Sequence, residues 1–175
     1  MVIAIETAGF SFRPQVRLAV SVYARQVTLD ELDWGLLAEL QRDARTSFNE
    51  LARRLGVSAP TVAQRVRRLE ESGAISGYHA TVNPTAVGRP VQALISMRCY
   101  GPRCITLRPE RVAEWPEVLS VVRLTGDVCS LVHVATRDVD ELRELLERLW
   151  EYGETASSMI LSWPLPPKPV QPPRP

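Results

Sequence analysis

The sequence predicts an α+β protein in which a helical half precedes a half built around a sheet. From about residue 29 to residue 72, apolar residues recur at the spacing of three or four that is typical of helices. From residue 91 onward, runs such as VQALISMRCY alternate apolar and polar residues, which is the period of strands. A chain of 175 residues has room for two small domains, so this change of period predicts a domain boundary.

Three helices are predicted in the first half. The first carries the apolar stripe of LDELDWGLLAEL, and the second and third each begin with a serine and end with a glycine. These signals are Ser47, Glu50 in a capping box and Gly56 for the second helix, and Ser58, Pro60 in the first turn and Gly73 for the third. Only GVS separates the second helix from the third, as in a helix-turn-helix.

The second half shows the order β-α-β-β-α-β. Its strands are VQALISMRCY, VLSVVRL, VCSLVHVA and SSMILSW, and its helices are RPERVAEW and DVDELRELLERLWEYG. This order is that of a ferredoxin-like split βαβ unit.

A short strand predicted after Gly73 would make the first domain a winged helix-turn-helix. The predicted organisation is an irregular extension over 1–28, a helix-turn-helix domain over 29–78, a linker over 79–90, a ferredoxin-like domain over 91–163 and a disordered Pro-rich tail over 164–175.

Positive charge is concentrated on the predicted helix pair, although the chain has a net charge of only +1. Residues 53–69 hold five arginines and no acid, whereas residues 137–154 hold three arginines and seven acids. The second helix of such a pair enters the major groove of DNA, where Arg and Gln make bidentate contacts to base edges. We therefore predict double-stranded DNA as a partner. The predicted DNA-binding residues are Ser47, Arg53, Arg54, Ser58, Pro60, Thr61, Gln64, Arg65, Arg67 and Arg68.

Different roles are expected within this set. Gln64 and Arg65, in the early turns of the third helix, are predicted to read bases. Arg53 and Arg54 are predicted to contact phosphates, and the helix starts at Ser47 and Ser58 offer backbone amides to phosphate oxygens.

Other classes of protein are not favoured by the composition. The odd number of cysteines argues against a disulfide framework, and no apolar run approaches the roughly 18 residues that span a bilayer. The first residues do not resemble a signal peptide, so we expect a cytoplasmic protein without a membrane partner. Neither His79 nor His133 stands at metal-ligand spacing from cysteines or carboxylates, so no metal or cofactor is predicted. The sequence contains no GxGxxG, P-loop or GxSxG motif that would indicate an enzyme.

The first half resembles the Lrp/AsnC regulators, the feast/famine family of bacterial and archaeal transcription factors. The matching runs are Leu29-Asp30-Glu31-Leu32-Asp33, Leu40-Gln41-Arg42-Asp43-Ala44-Arg45, Arg65-Val66-Arg67-Arg68-Leu69-Glu70, Gly73-Ala74-Ile75 and Gly77-Tyr78. The second half resembles the ligand-sensing RAM domain of the family, whose TGD loop appears as Thr125-Gly126-Asp127.

The resemblance implies a sequence-specific transcriptional regulator that forms a homodimer on facing RAM sheets, often assembled into tetramers or octamers. It also implies a small-molecule effector, such as an amino acid, bound between dimers. Carried over by position, the effector-binding residues are Gly126, Asp127, Cys129, Thr155 and Ser157. Many amino-acid sensors of the family carry an aromatic residue and an Asp after TGD, where this chain has Val128 and Cys129. A thiol thus replaces a carboxylate that could pair with an effector ammonium group.

Two other functions share this architecture. Siroheme decarboxylases resemble these regulators, but the histidine runs that they carry on the middle strands are replaced here by Val121-Val122-Arg123 and Asp127-Val128-Cys129-Ser130. A nucleoid protein would keep the DNA surface but bind with little sequence preference and no effector. Two further hypotheses are that Cys129 senses redox state and that the Pro-rich tail is a docking peptide.

Overall fold

The computed structural model describes residues 27–165 and 167–173, and these form two compact units. Residues 27–77 and 170–173 belong to the first unit, and residues 78–165 and 167–169 belong to the second. The predicted N-terminal extension lies almost entirely outside the described residues. None of the described helices is long and apolar enough to cross a membrane.

The first unit contains the three predicted helices. Helix α1 spans Glu31–Arg42, α2 spans Phe48–Leu55 and α3 spans Ala59–Glu71. The inward face predicted for α3 is confirmed, since Val62, Val66 and Leu69 are buried. These side chains pack with the apolar stripes of the other two helices, whose buried members are Leu36, Leu40, Leu51 and Ala52.

The helix starts differ from the sequence pattern in one detail. At α2, the Ser47 hydroxyl accepts a hydrogen bond from the Glu50 amide at 3.3 Å. The Glu50 carboxylate, however, accepts hydrogen bonds from Arg53 and Arg54. The predicted capping box is therefore only half formed, because charge-assisted bonds to two guanidinium groups are stronger than one bond to a backbone amide.

The short strand predicted after Gly73 does not form. Gly73 adopts a left-handed conformation with φ of 77°, and the Ile75 amide then donates to the Leu69 carbonyl at 3.0 Å. The chain after α3 is thus used to close the end of that helix. Beyond it, residues 76–83 have no helix or strand, because a strand needs a partner and the described chain offers none there.

The second unit is the predicted ferredoxin-like domain. Its elements are β1 (Val91–Cys99), α4 (Glu110–Ala113), β2 (Val118–Arg123), β3 (Ser130–Thr136), α5 (Val139–Trp150) and β4 (Gly153–Met159). The strands form one antiparallel sheet in the order β2-β3-β1-β4. Helix α4 is shorter than its sequence pattern because Pro109 precedes its first residue and Pro116 stops any continuation.

One face of the sheet is covered by helices. The predicted alternation in β1 is confirmed, with Ala93, Ile95 and Met97 buried. They pack with Val132 and Val134 of β3 and with α5, which contributes Leu142, Leu145 and Leu149. The opposite face carries half-buried Leu94 and Leu131 and exposed Val122. We call this second surface the open sheet face.

The Pro-rich tail has no helix or strand at its described residues, but it is not unpacked throughout. The Gln41 side chain donates to the Val170 carbonyl at 3.0 Å and accepts from the Val170 amide at 2.7 Å. Both hydrogen-bonding groups of one tail residue are thereby satisfied by α1. The expectation of a wholly unpacked tail is wrong at this position.

Candidate nucleic-acid interface and effector loop

The turn between α2 and α3 is tight because each of its residues has a defined role. Gly56 adopts the left-handed conformation (φ 67°) that ends α2, as the sequence predicts. The Val57 amide donates to the Ala52 carbonyl at 3.0 Å. The Ser58 hydroxyl then accepts from the Thr61 amide at 3.3 Å and lies 2.8 Å from the Thr61 hydroxyl. Helix α3 therefore begins immediately after the turn.

One stripe of α3 is open to solvent. Because a helix turns about 100° per residue, residues 60, 64 and 67 lie above one another. Pro60, Gln64 and Arg67 are all exposed, and we call them the open stripe. Within the described part of the chain, Arg67 has no ion-pair partner. This stripe combines an amide and a free guanidinium, the two groups best suited to base edges.

The neighbouring stripe of α3, about 100° further around the helix, faces carboxylates of α1. Arg65 lies 2.5 Å from Asp30 and 3.3 Å from Asp33, and Arg68 lies 2.5 Å from Asp33. The side chain of Asp33 is fully buried. The pKa of Asp30 is lowered by a hydrogen bond from the Asp33 amide and by Arg65. Arg65 and Arg68 thus connect the start of α1 to α3.

The arginines at the end of α2 are also paired. Arg53 lies 2.6 Å from Glu50, and Arg54 lies 2.6 Å from Glu39 and 2.7 Å from Glu50. Hydrogen bonds from Arg53 and Arg54 lower the pKa of Glu50 to about 2, so this carboxyl stays ionised at neutral pH. The acids that balance the acid-free run come from α1 and from the start of α2. Among the described residues, only Arg67 of the five arginines in that run lacks an ion pair.

The predicted effector residues fall into two groups in the second unit. Gly126 and Asp127 lie exposed in the hairpin between β2 and β3, where Gly126 has a φ of 99°. The Cys129 amide donates to the Met97 carbonyl at 2.9 Å. Thr155 pairs with Met97 from the other side of β1. Cys129 and Thr155 therefore lie on opposite sides of Met97, Cys129 next to β3 and Thr155 on β4.

The remaining effector positions are less closely grouped. Ser157 is exposed on β4, opposite Ile95, and the Thr155 hydroxyl already accepts a 2.6 Å hydrogen bond from the Trp150 indole. A cavity of about 360 Å³ lies elsewhere in the second unit. Its lining residues, none of them in the predicted effector set, are Arg103, Arg111, Glu151 and Tyr152.

All three cysteines of the chain come together beside the hairpin between β2 and β3. The sequence does not predict this cluster. The sulfur atoms of Cys99, Cys104 and Cys129 lie within 4.8 Å of one another. Burial by itself raises the pKa of Cys104, but hydrogen bonds from Thr106, Cys99 and Cys129 lower it to about 7. Burial and its cysteine neighbours raise the pKa of Cys99 to about 12. A long-range contact of this kind has no local sequence signal.

His133 is a strand residue, as predicted. Its ring makes an edge contact with Trp163 at 5.8 Å between centroids, and burial lowers its pKa. Among the described residues, its Nε2 atom has no hydrogen-bond partner. The only described group of three or more potential metal ligands is the cysteine cluster, so His133 belongs to no such group.

A tight helix pair with an exposed polar stripe on its second helix defines a helix-turn-helix DNA-binding protein, here joined to a ferredoxin-like domain. Comparison with known families agrees with both halves. The AsnC-type helix-turn-helix domain matches residues 29–70, and the Lrp/AsnC ligand binding domain matches residues 106–170. The chain therefore belongs to the Lrp/AsnC family of transcriptional regulators, which confirms the resemblance seen in the sequence.

Individual relatives support this membership. The HTH-type transcriptional regulator Rv2324 of Mycobacterium tuberculosis is 36% identical over 141 residues, covering 77% of this chain and 93% of the relative. The crystal structure of the leucine response regulatory protein LrpA from the same organism has a TM-score of 0.72 and 33% identity, covering 82% of this chain and all of that one. The Neisseria meningitidis regulator NMB0573, solved as a complex with L-Met, has a TM-score of 0.74 and 27% identity, covering 82% of this chain and 96% of that one.

Proposed function

We propose that this Lrp/AsnC regulator reads its operator with the open stripe of α3. The observation that carries the proposal is the exposure of Pro60, Gln64 and Arg67 on the second helix of the pair. The Gln64 amide can donate to and accept from an adenine edge, and the Arg67 guanidinium can donate twice to guanine. The small, apolar Pro60 side chain at the helix start would let the backbone of α3 lie close to the groove. It carries no hydrogen-bonding group that could compete for the base contacts.

The other predicted DNA-binding residues surround this stripe. Arg53 and Arg54 face solvent and keep donors for phosphate oxygens beside their ion pairs, because a guanidinium carries five N–H groups. Ser47, Ser58 and Thr61 mark the helix starts, where backbone amides favour phosphate. We assign Arg65 and Arg68 to positioning α3, because their pairs with Asp30 and Asp33 hold both side chains toward the start of α1.

Replacing Gln64 by Ala tests the reading assignment. We expect this variant to lose about 1–3 kcal/mol of binding free energy on the cognate operator and little on random DNA, since a base-edge contact carries sequence information. Titrations of both DNAs by fluorescence anisotropy at fixed salt measure the two losses. Glu71→Ala, two helical turns further along the same face, is the matched control and should not reduce operator affinity. Equal weakening on both DNAs by Gln64→Ala would contradict the assignment.

The open sheet face supports a homodimer. Leu94 and Leu131 are only half buried there, and Val122 keeps 49% of its surface exposed, whereas Ile95, Met97 and Val132 on the other face are fully buried. Exposed apolar surface of this kind favours association, and two-fold pairing of these faces would give each dimer two reading helices. Such a dimer would recognise pseudo-palindromic half-sites about one helical turn apart, or a multiple of that spacing.

Placing a charge on the open sheet face tests the dimer. Val122→Asp should shift the protein toward monomer, because association would bury an unpaired carboxylate. Light scattering after gel filtration measures the mass across a concentration series. Val139→Asp adds the same charge at an exposed position on α5 and should leave the mass unchanged. Identical masses for wild type and Val122→Asp at all concentrations would place the interface elsewhere.

We propose that an effector contacts the hairpin between β2 and β3, where Gly126 and Asp127 are exposed. The complex of the Neisseria relative with L-Met supports an amino acid as the effector class. We therefore propose Gly126, Asp127, Cys129, Thr155 and Ser157 as the effector-binding residues. We also propose that this regulator lies in the cytoplasm, where its DNA is. Asp127→Ala should change assembly or effector response without changing half-site affinity.

A further inference from the structure

We propose that Cys99, Cys104 and Cys129 form a binding site for one cuprous ion, held by three thiolates. The three residues come from different parts of the second unit. Cys99 ends β1, Cys104 follows the turn formed by residues 101–103, and Cys129 immediately precedes β3. Pairing of β1 with β3 and the return of the chain after β1 bring them together.

The spacing of the sulfur atoms suits a central ion. Three sulfurs that each lie about 2.3 Å from one metal ion are about 4 Å from one another. The Cys104 and Cys129 sulfurs are 3.8 Å apart, and all three lie within 4.8 Å of one another. Shifts of less than about an ångström, of the size that side-chain rotation allows, would therefore complete the coordination.

The ligand set favours a soft ion of low coordination number. Within the described residues, no carboxylate or imidazole joins the cluster. Thiolates bind Cu(I) and zinc alike, but structural zinc sites are almost always closed by four protein ligands. Three thiolates can satisfy Cu(I) without a fourth ligand, so the cluster matches cuprous copper better than zinc.

Hydrogen-bonding groups lie beside each of the three sulfur atoms. The Cys99 amide donates to the Cys129 sulfur at 3.2 Å. The Thr106 hydroxyl lies 3.0 Å from the Cys104 sulfur, and the Ser130 hydroxyl lies 3.7 Å from the Cys99 sulfur. Hydrogen bonds from such neighbours orient metal ligands and spread their negative charge.

Binding would exchange protons for the ion. One Cu(I) replaces the three thiol protons, which leave to solvent, and the three sulfur–copper bonds form without a change in oxidation state. Because Cys129 closes the hairpin that begins at Thr125, the ion would tie this hairpin to the end of β1. Copper binding itself requires only the second unit and does not rest on the proposed DNA function.

Anaerobic titration of the full-length, fully reduced protein tests the site. Cu(I) is supplied as its complex with a chromophoric chelator, and transfer to the protein is followed by the loss of the chelator colour and by thiolate-to-copper charge-transfer absorption. We expect one equivalent per chain. Cys99→Ser, Cys104→Ser and Cys129→Ser should each lower the affinity at least tenfold. Met159→Leu removes an exposed thioether outside the cluster and should still bind one equivalent.

The wild-type titration decides the question even if a serine variant fails to fold. Absence of stoichiometric transfer, with three free thiols counted per chain by a thiol reagent, would overturn the proposal. So would zinc binding without copper binding, or retention of copper by all three folded serine variants. Formation of a disulfide in place of copper uptake under reducing conditions would overturn it as well. No DNA is present in these measurements, so their failure leaves the assignment of the open stripe untouched.

Discussion

Asp33→Ala is expected to destabilise the first unit by about 3 kcal/mol, because it removes the buried partner of two arginines. The Asp33 carboxylate is fully buried, lies 2.5 Å from Arg68 and 3.3 Å from Arg65, and accepts from the Asp30 amide at 3.1 Å. The variant loses these contacts and half of the capping box of α1. The estimate is at the low end for a broken buried pair because Arg65 and Arg68 remain partly exposed and can be solvated.

Hydrogen exchange measured by mass spectrometry localises this effect within the full-length chain. Amides of α1 and α3 should exchange much faster in Asp33→Ala, whereas those of the second unit should keep their protection. Glu31→Ala is the matched control, since it removes an exposed carboxylate from the same first turn and should cost less than about 0.5 kcal/mol. Equal protection of α1 in the two variants would show that the buried ion pairs contribute little.

Gly153→Ala should have a comparable effect on the second unit, with a loss of about 3 kcal/mol. A β-carbon at Gly153 would lie 2.5 Å from the Arg98 carbonyl oxygen and 2.7 Å from the Cys99 α-carbon. Both are backbone atoms in the pairing of β1 with β4, so no side-chain rotation can relieve the clash. The strands must separate, and overpacking of this kind costs about 1–3 kcal/mol, with backbone shifts at the upper end.

Chemical denaturation of the full chain, with exchange protection of β1 and β4 as the local readout, measures the loss. Gly88→Ala serves as the control because an added β-carbon there meets nothing within 4 Å. Its left-handed φ of 83° limits the expected cost to about 1 kcal/mol of backbone strain. If Gly153→Ala costs no more than Gly88→Ala, the two strands are not packed as closely as the structure indicates.

Much of the fold follows from patterns within a few residues along the chain. The start of α3 at Ser58 and the end of α2 at Gly56 are local effects, because a cap and a left-handed glycine act on backbone groups of the same turn. The alternation in β1 likewise determines which of its side chains are buried. The order of helices and strands along the chain and their inward faces were therefore predictable from the sequence.

The predicted features that failed depend on competition between local and distant partners. The Glu50 carboxylate could complete a capping box, but Arg53 and Arg54 bind it instead. The chain after Gly73 could form a strand, but it closes α3 and finds no strand partner in the described residues. A sequence pattern shows that a local structure is possible and does not show which competing contact is stronger.

The sequence by itself determined that a basic helix pair precedes a ferredoxin-like domain, because turns, caps and periodicity depend on residues that are close together along the chain. Only the tertiary structure decided which charges are paired and that the thiols meet. The acid-free run around Arg65 faces Asp30 and Asp33, which lie more than thirty residues earlier, and among the described residues this leaves Arg67 without an ion pair and Gln64 exposed. The cysteines meet only after β1 pairs with β3, since contacts between distant residues arise from the packing of whole elements.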